Sequence, residues 1–157
     1  MKKLIVLGIA IVALFTAALS MVGAQEASRT VTFTEGEIND AFWVTNPANR
    51  NLSNVYVNLQ AEGQVTISAL YTWRTRTGTR STTLTAVITP TISKGRLQWD
   101  EVSITADGQP ASASLVAQVN NHLMASWHRW IANNAPASTL TVVSISDDEI
   151  SLTYTPN

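Results

Sequence analysis

The chain has 157 residues, 10 basic and 11 acidic, for a formal net charge of −1, with five tryptophans and no cysteine. Lack of cysteine excludes disulfides and thiolate chemistry, and lack of a basic surplus argues against nucleic acid as a partner. Sparse charge with abundant Thr and Ser suits strands that have one solvated face.

Lys2 and Lys3 precede an apolar or small-residue run from Leu4 to Val22, and Val22-Gly23-Ala24 leads into the polar Gln25-Glu26. A basic end, an apolar middle and small residues before the cut describe an export signal cleaved after Ala24. The alternative is an uncleaved anchor, because 19 residues rising about 1.5 Å each nearly cross a hydrocarbon layer of roughly 30 Å. Both place the rest of the chain outside the cytoplasmic membrane. Residues 25–157 are then one domain, large enough to bury a core without staples. Eight of the ten basic and all eleven acidic residues fall in this part, which leaves it at −3.

Thr30 to Phe33 alternates like a short strand. Thr34-Glu35-Gly36-Glu37 fits a capping box that opens a short helix with Ile38 and Phe42 on one side, stopped at Asn46-Pro47. Asn46 to Asn54 is expected to be a loop. From Val55 onward, the demand that apolar side chains share a face sets a register. A loop at Glu62-Gly63-Gln64 puts Ala61 opposite Val65, Leu59 opposite Ile67, Val57 opposite Ala69 and Val55 opposite Tyr71. A turn at Gly78-Thr79 puts Trp73 opposite Leu84, Tyr71 opposite Ala86, Ala69 opposite Ile88 and Val65 opposite Ile92. A turn at Lys94-Gly95 sets Ile92 against Leu97 and Pro90 against Trp99. The inward pattern then jumps from Trp99 to Val102 and Ile104, which predicts a β-bulge near Asp100-Glu101.

Asp107 to Pro110 breaks the chain. Ala111 to Asn133 has a helical period, with Leu115, Val116, Val119, Leu123, Trp127, Trp130 and Ile131 on one wide arc and Gln118, Asn121, His128 and Arg129 on the other side. A last hairpin pairs Leu140–Ser146 with Glu149–Thr155 across Asp147-Asp148. The expected fold is α+β: a strongly curved antiparallel sheet of about five to seven strands packed on one long C-terminal helix, plus a short N-terminal helix.

The residues offer little for catalysis. His122 and His128 stand six apart, about 120° around a helix, and do not grip one ion. Asp100-Glu101 and Asp147-Asp148-Glu149 are acidic residues at turns, where such residues ordinarily go. There is no phosphate loop and no nucleophile elbow. No enzyme activity, metal or cofactor is expected. Arg74, Arg76 and Arg80 crowd one hairpin tip, with Arg74 and Arg76 on the outer face and Arg80 on the other; they either contact anionic head groups or keep the hairpin soluble.

The start Thr-Phe-Thr-Glu-Gly-Glu-Ile-Asn (Thr32 to Asn39) is followed by long alternating strands and an Asp-Gly-Gln-Pro turn (Asp107 to Pro110). A long helix ending in Trp127-His128-Arg129-Trp130 and a hairpin with Asp-Asp-Glu-Ile complete the order. This order resembles small bacterial exported or membrane-tethered proteins related to the tubular lipid-binding (TULIP) superfamily. The likeness spans nearly the whole mature chain and lies in element order and texture. It implies a highly curved antiparallel sheet wrapped along a long helix, with a groove for acyl chains. The chain lacks the lipid-attachment cysteine that some relatives carry after their signal.

The expected function is therefore non-enzymatic binding of a lipid or other apolar ligand outside the cytoplasmic membrane. The ligand would lie between the sheet face (Val57, Leu59, Ile67, Tyr71, Trp73, Ile88, Trp99) and the helix (Leu123, Trp127, Trp130), with transient membrane contact through Arg74, Arg76 and Arg80. The alternative is a structural or interaction module with a closed core and no ligand.

Overall fold

A computed structural model describes residues 28–45, 50–135 and 138–155. The expected export segment and the Asn46-Pro47 stop lie outside those residues. In chain order the elements are β1 (Arg29–Thr34), α1 (Glu35–Ala41), β2 (Arg50–Gln60), β3 (Gln64–Thr75), β4 (Gly78–Ser93), β5 (Arg96–Ala106) and β6 (Gln109–Pro110). They continue with α2 (Ala113–Gln118), a π-helical segment (Val119–Met124), α3 (Ala125–Asn134), β7 (Thr139–Ile145) and β8 (Glu149–Thr155). The fold is α+β, as expected, but its strands form two antiparallel sheets, ordered β2-β3-β4-β5-β6 and β1-β8-β7. One core joins them through α1 and the long helix.

The capping box forms as its residues require. The Glu37 amide donates to Thr34 Oγ1 at 3.2 Å, and the Thr34 amide donates to Glu37 Oε2 at 2.9 Å. The latter bond, aided by the Thr34 hydroxyl, holds the Glu37 carboxyl below the usual range. Ile38 and Phe42 enter the core, as the spacing predicts.

The opposite side of α1 has a role that apolar periodicity does not show. Along the outer edge of β2, the Asn39 amide group accepts from the Val57 N–H and donates to the Val57 carbonyl, both at 2.8 Å. Glu35 Oε2 accepts from the Leu59 N–H, and Asp147 Oδ1 accepts from the Ala61 N–H, also at 2.8 Å. Alternate residues of an edge strand aim their backbone groups away from the sheet, and here side chains take the place of a further strand. This blunts an edge that would otherwise invite pairing with another chain.

The registers of the first two hairpins differ from those expected. Leu59 opposes Val65 and Val57 opposes Ile67, around the loop Ala61-Glu62-Gly63. Gly63 takes a positive φ there, the usual device of a three-residue hairpin loop. Thr75 opposes Gly78 around Arg76-Thr77, so that Ala69 faces Leu84, Ile67 faces Ala86 and Val65 faces Ile88. Both departures are by an even number of residues, so every side chain keeps its expected face. The expected loop at Asn46 to Asn54 is also corrected, because β2 begins at Arg50 and bulges between Ser53 and Tyr56. Tyr71 consequently faces Leu52 instead of Val55.

The Lys94-Gly95 turn is as expected, with Ile92 opposite Leu97 and Pro90 opposite Trp99. Both turn residues have positive φ, 52° and 71°, which matches the twist of the flanking strands. The bulge lies one position later than expected: Val87 opposes Ser103 and Ile88 opposes Glu101, leaving Val102 as the extra residue. Val102 is therefore exposed rather than inward, while Ile104 is buried.

Asp107-Gly108 is a hairpin turn joining β5 to β6, again with two positive φ angles, rather than a simple break. The Asp107 carboxylate accepts from the Thr83 N–H at 2.8 Å and the Thr82 hydroxyl at 2.7 Å. These bonds hold its carboxyl below the usual aspartate range. A carboxylate with a depressed folded-state pKa stabilises above its unfolded value and loses that contribution as pH falls through the folded one. Thermal unfolding of the wild type should therefore weaken below about pH 4 more steeply than that of Asp107→Asn. Parallel pH profiles for the two would refute this role.

Val119, Leu123, Trp127 and Ile131, four residues apart, are all at most 5% exposed. In a pure α-helix, steps of four drift about 40° each around the axis. The wider π-helical segment, in which the Ala125 N–H reaches back to the Asn120 carbonyl, offsets that drift. The stripe therefore stays on the core.

Candidate functional site

The ten residues expected to bind a ligand divide into two groups. Val57, Ile67, Ile88, Leu123 and Trp127 are 0% exposed and Leu59 is 2% exposed, so space large enough for water hardly reaches them. Side chains of the long helix fill the middle of the large sheet. Tyr71 is buried at the end of the core, and Trp73, Trp99 and Trp130 are partly buried around its margin.

Open space lies at that margin. A groove of about 600 Å³ runs between β5, α3 and the β7–β8 sheet. Its apolar lining includes Leu97, Trp99, Ile131, Leu140 and Tyr154, and Arg96, Asp100 and His128 also border it. One end is tied where the Leu140 N–H donates to the Gly95 carbonyl at 2.9 Å. A Cβ at Gly95 would come within 2.5 Å of Thr139 Cγ2, so this approach of β7 to the β4–β5 turn needs glycine. Away from that tie, β5 has no strand partner on this side among the described residues until Thr105 and Ala106 meet β6. The groove occupies the gap between the sheets. Partial desolvation lowers the His128 pKa from its ordinary value, and burial raises that of Tyr154.

Of the ten expected ligand residues, Trp99 lines this groove. Tyr71 and Trp73 line a second groove of about 500 Å³ at the start of the long helix, with Arg74 among its walls. Trp130 packs edge-on against Phe33 at 5.2 Å and stacks with Trp127 at 5.7 Å. Leu97, Leu140 and Tyr154 are site residues that the sequence reading did not single out. Their positions follow from how the C-terminal hairpin meets the β4–β5 turn, a contact between elements far apart in the chain.

Arg74, Arg76 and Arg80 are exposed near the β3–β4 turn. Arg80 opposes Trp73 in the ladder and so shares its face, as expected. Among the described residues no three of His, Cys, Asp or Glu are placed to hold a metal ion, and no helix is long and apolar enough to cross a membrane. Comparisons with protein-family models, curated proteins and solved structures find no match to the chain.

Proposed function

We propose that the domain is a non-enzymatic binding protein for a lipid or other apolar small molecule, working outside the cytoplasmic membrane. The observation that carries this is the groove beside Trp99, where partly exposed Leu97 and Trp99 of β5 meet the buried Ile131 of α3 and the buried Leu140 and Tyr154 of the C-terminal hairpin around open space. Apolar floors with a few polar groups at the edge are what small-molecule sites ordinarily offer. Burial of ligand surface there contributes roughly 25 cal/mol per Å² before ordering costs. The long apolar run after Lys2 and Lys3 supports export, and the resemblance to lipid-binding exported proteins agrees with the ligand class. Exposed Arg74, Arg76 and Arg80 provide cationic contact with anionic head groups, each worth about 1 kcal/mol near a charged bilayer.

The test is native mass spectrometry after mild purification, with uptake of cis-parinaric acid by the purified protein. Co-purifying lipid, or uptake reduced at least about tenfold, or ~1.4 kcal/mol, by Ala132→Trp on the exposed wall of the groove, is the expected result. A clean apo mass with no uptake overturns the proposal. The closed middle of the core favours the second reading, an interaction module without ligand. In that case charge reversal at Arg76 and Arg80 should abolish a protein contact while lipid leaves tryptophan fluorescence unchanged.

A further inference from the structure

The two edges of the large sheet differ. Glu35, Asn39 and Asp147 occupy the outer edge of β2, and where β4 runs on past β3 it carries Pro90, which has no N–H to offer. The opposite edge is β5, whose segment Arg96–Asp100 borders open space residue by residue. Among the described residues no strand or side chain takes the backbone groups of that segment on its open side. Ser93 and Arg96 close a two-residue turn and so exchange backbone bonds with each other. Alternation along an antiparallel pair then aims the N–H and C=O of Leu97 and Trp99 away from β4. Pro90 opposite Trp99 fits this phase, because no bond is asked of it there.

The side chains of the segment are symmetrical in kind about Gln98. On the outer face Arg96 and Asp100 stand two residues to either side of it, and on the inner face Leu97 and Trp99 stand one residue to either side. Arg96 and Asp100 are exposed, and their cross-strand neighbours are the uncharged Ser93 and Thr89. About 13 Å of strand separates the two charges, and neither has an ion pair or hydrogen bond among the described residues. Charges of one sign would repel a second copy of this edge. These have opposite signs, so antiparallel pairing about a two-fold axis at Gln98 sets each against its opposite.

We propose that the protein forms a two-fold homodimer in which Arg96–Asp100 of β5 pairs with the same segment of a second copy. Arg96 faces the partner's Asp100 and Leu97 faces the partner's Trp99, and the reciprocal contacts repeat both, as an isologous interface requires. Leu97 and Trp99 satisfy each other's free backbone groups across the axis. A shift by two residues either way would set uncharged Gln98 against Arg96 or Asp100 instead. The pairing is short because the Gly95 carbonyl is already bonded to the Leu140 N–H and β5 bulges at Val102. The apolar groove of each copy adjoins the paired segment, so the partner's Leu97 and Trp99 extend its lining, but the pairing itself requires no ligand.

The experiment is sedimentation equilibrium of the purified protein over a range of concentrations, with the charges exchanged. The wild type should show a monomer–dimer equilibrium. Arg96→Asp and Asp100→Arg should each weaken it at least about tenfold, because each sets like charges face to face on both sides of the axis. An equimolar mixture of the two variants should dimerise again, since every charge then meets its opposite, and the double variant should do the same. Gln98→Cys, in a chain with no other cysteine, should cross-link on mild oxidation, because a non-bonded antiparallel pair on the axis brings its Cα atoms to about 4.5 Å. Thr91→Cys on the neighbouring strand should not. A monomer at every concentration up to about 1 mM overturns the proposal, as does a dimer that survives both single reversals, or a mixture of the two that stays monomeric. Loss of cis-parinaric acid uptake in a protein that still dimerises overturns the ligand reading alone, so the two fail or stand separately.

Discussion

Asn39→Ala is expected to destabilise the domain by about 2–4 kcal/mol, although it removes a polar side chain from a short helix. The Asn39 carboxamide is the partner of both the N–H and the carbonyl of Val57, and Val57 is 0% exposed. Alanine would leave two buried backbone groups unsatisfied, and each such group costs about 1–3 kcal/mol when water cannot replace the lost partner. The same side chain also donates to the Glu35 carbonyl at 3.0 Å, so part of the local fit of α1 goes with it. Asn39→Asp is the informative companion: its carboxylate can accept from the Val57 N–H but cannot donate to the Val57 carbonyl. Urea unfolding should rank wild type above both variants. An Asn39→Ala variant within about 0.5 kcal/mol of wild type, the range of ordinary surface substitutions, would show that the edge of β2 finds its partners elsewhere.

The larger loss is expected at Trp127, where truncation and conservative replacement should part company. Trp127 is 0% exposed and packs edge-on against Phe42 at 5.6 Å and Trp99 at 5.3 Å. Trp127→Ala therefore opens a cavity where the short helix, the long helix and β5 meet, at a cost of about 3–5 kcal/mol. That is a large part of the 5–15 kcal/mol, roughly, that holds a domain together. Trp127 Nε1, however, is buried without a hydrogen-bond partner among the described residues. Phenylalanine removes a desolvated donor together with some volume, so Trp127→Phe should cost less than about 1.5 kcal/mol, as near-conservative core exchanges do. Equal destabilisation by the two variants would show that the indole N–H is engaged and that volume alone is not what matters there.

The inward and outward faces of the strands could be read from their alternation. Val57, Leu59, Val65, Ile67, Ala69, Leu84, Ala86 and Ile88 all face the core as their pattern demands. The strand pairing could not be read in the same way. A slip by two or four residues moves no side chain to the other face, and the choice fell to Gly63 and to the Arg76-Thr77 turn. Signals carried by a few neighbouring residues were reliable too, as at the Thr34–Glu37 box and the Lys94-Gly95 turn. Asp107-Gly108 carried a comparable hairpin signal.

What the sequence by itself determined is thus most of the elements, the faces of the strands up to the bulge in β5, and the cap of the short helix, because these depend on side-chain period and on bonds spanning three or four residues. The tertiary structure alone decided that the strands divide into two sheets, that Glu35, Asn39 and Asp147 cover the edge of β2, and that open space lies beside Trp99 and Trp73 rather than along the middle of the helix. Each of these is a meeting of surfaces brought from distant parts of the chain. Whether such surfaces close or leave a gap depends on volume and on backbone groups seeking partners, neither of which leaves a periodic mark in the residues.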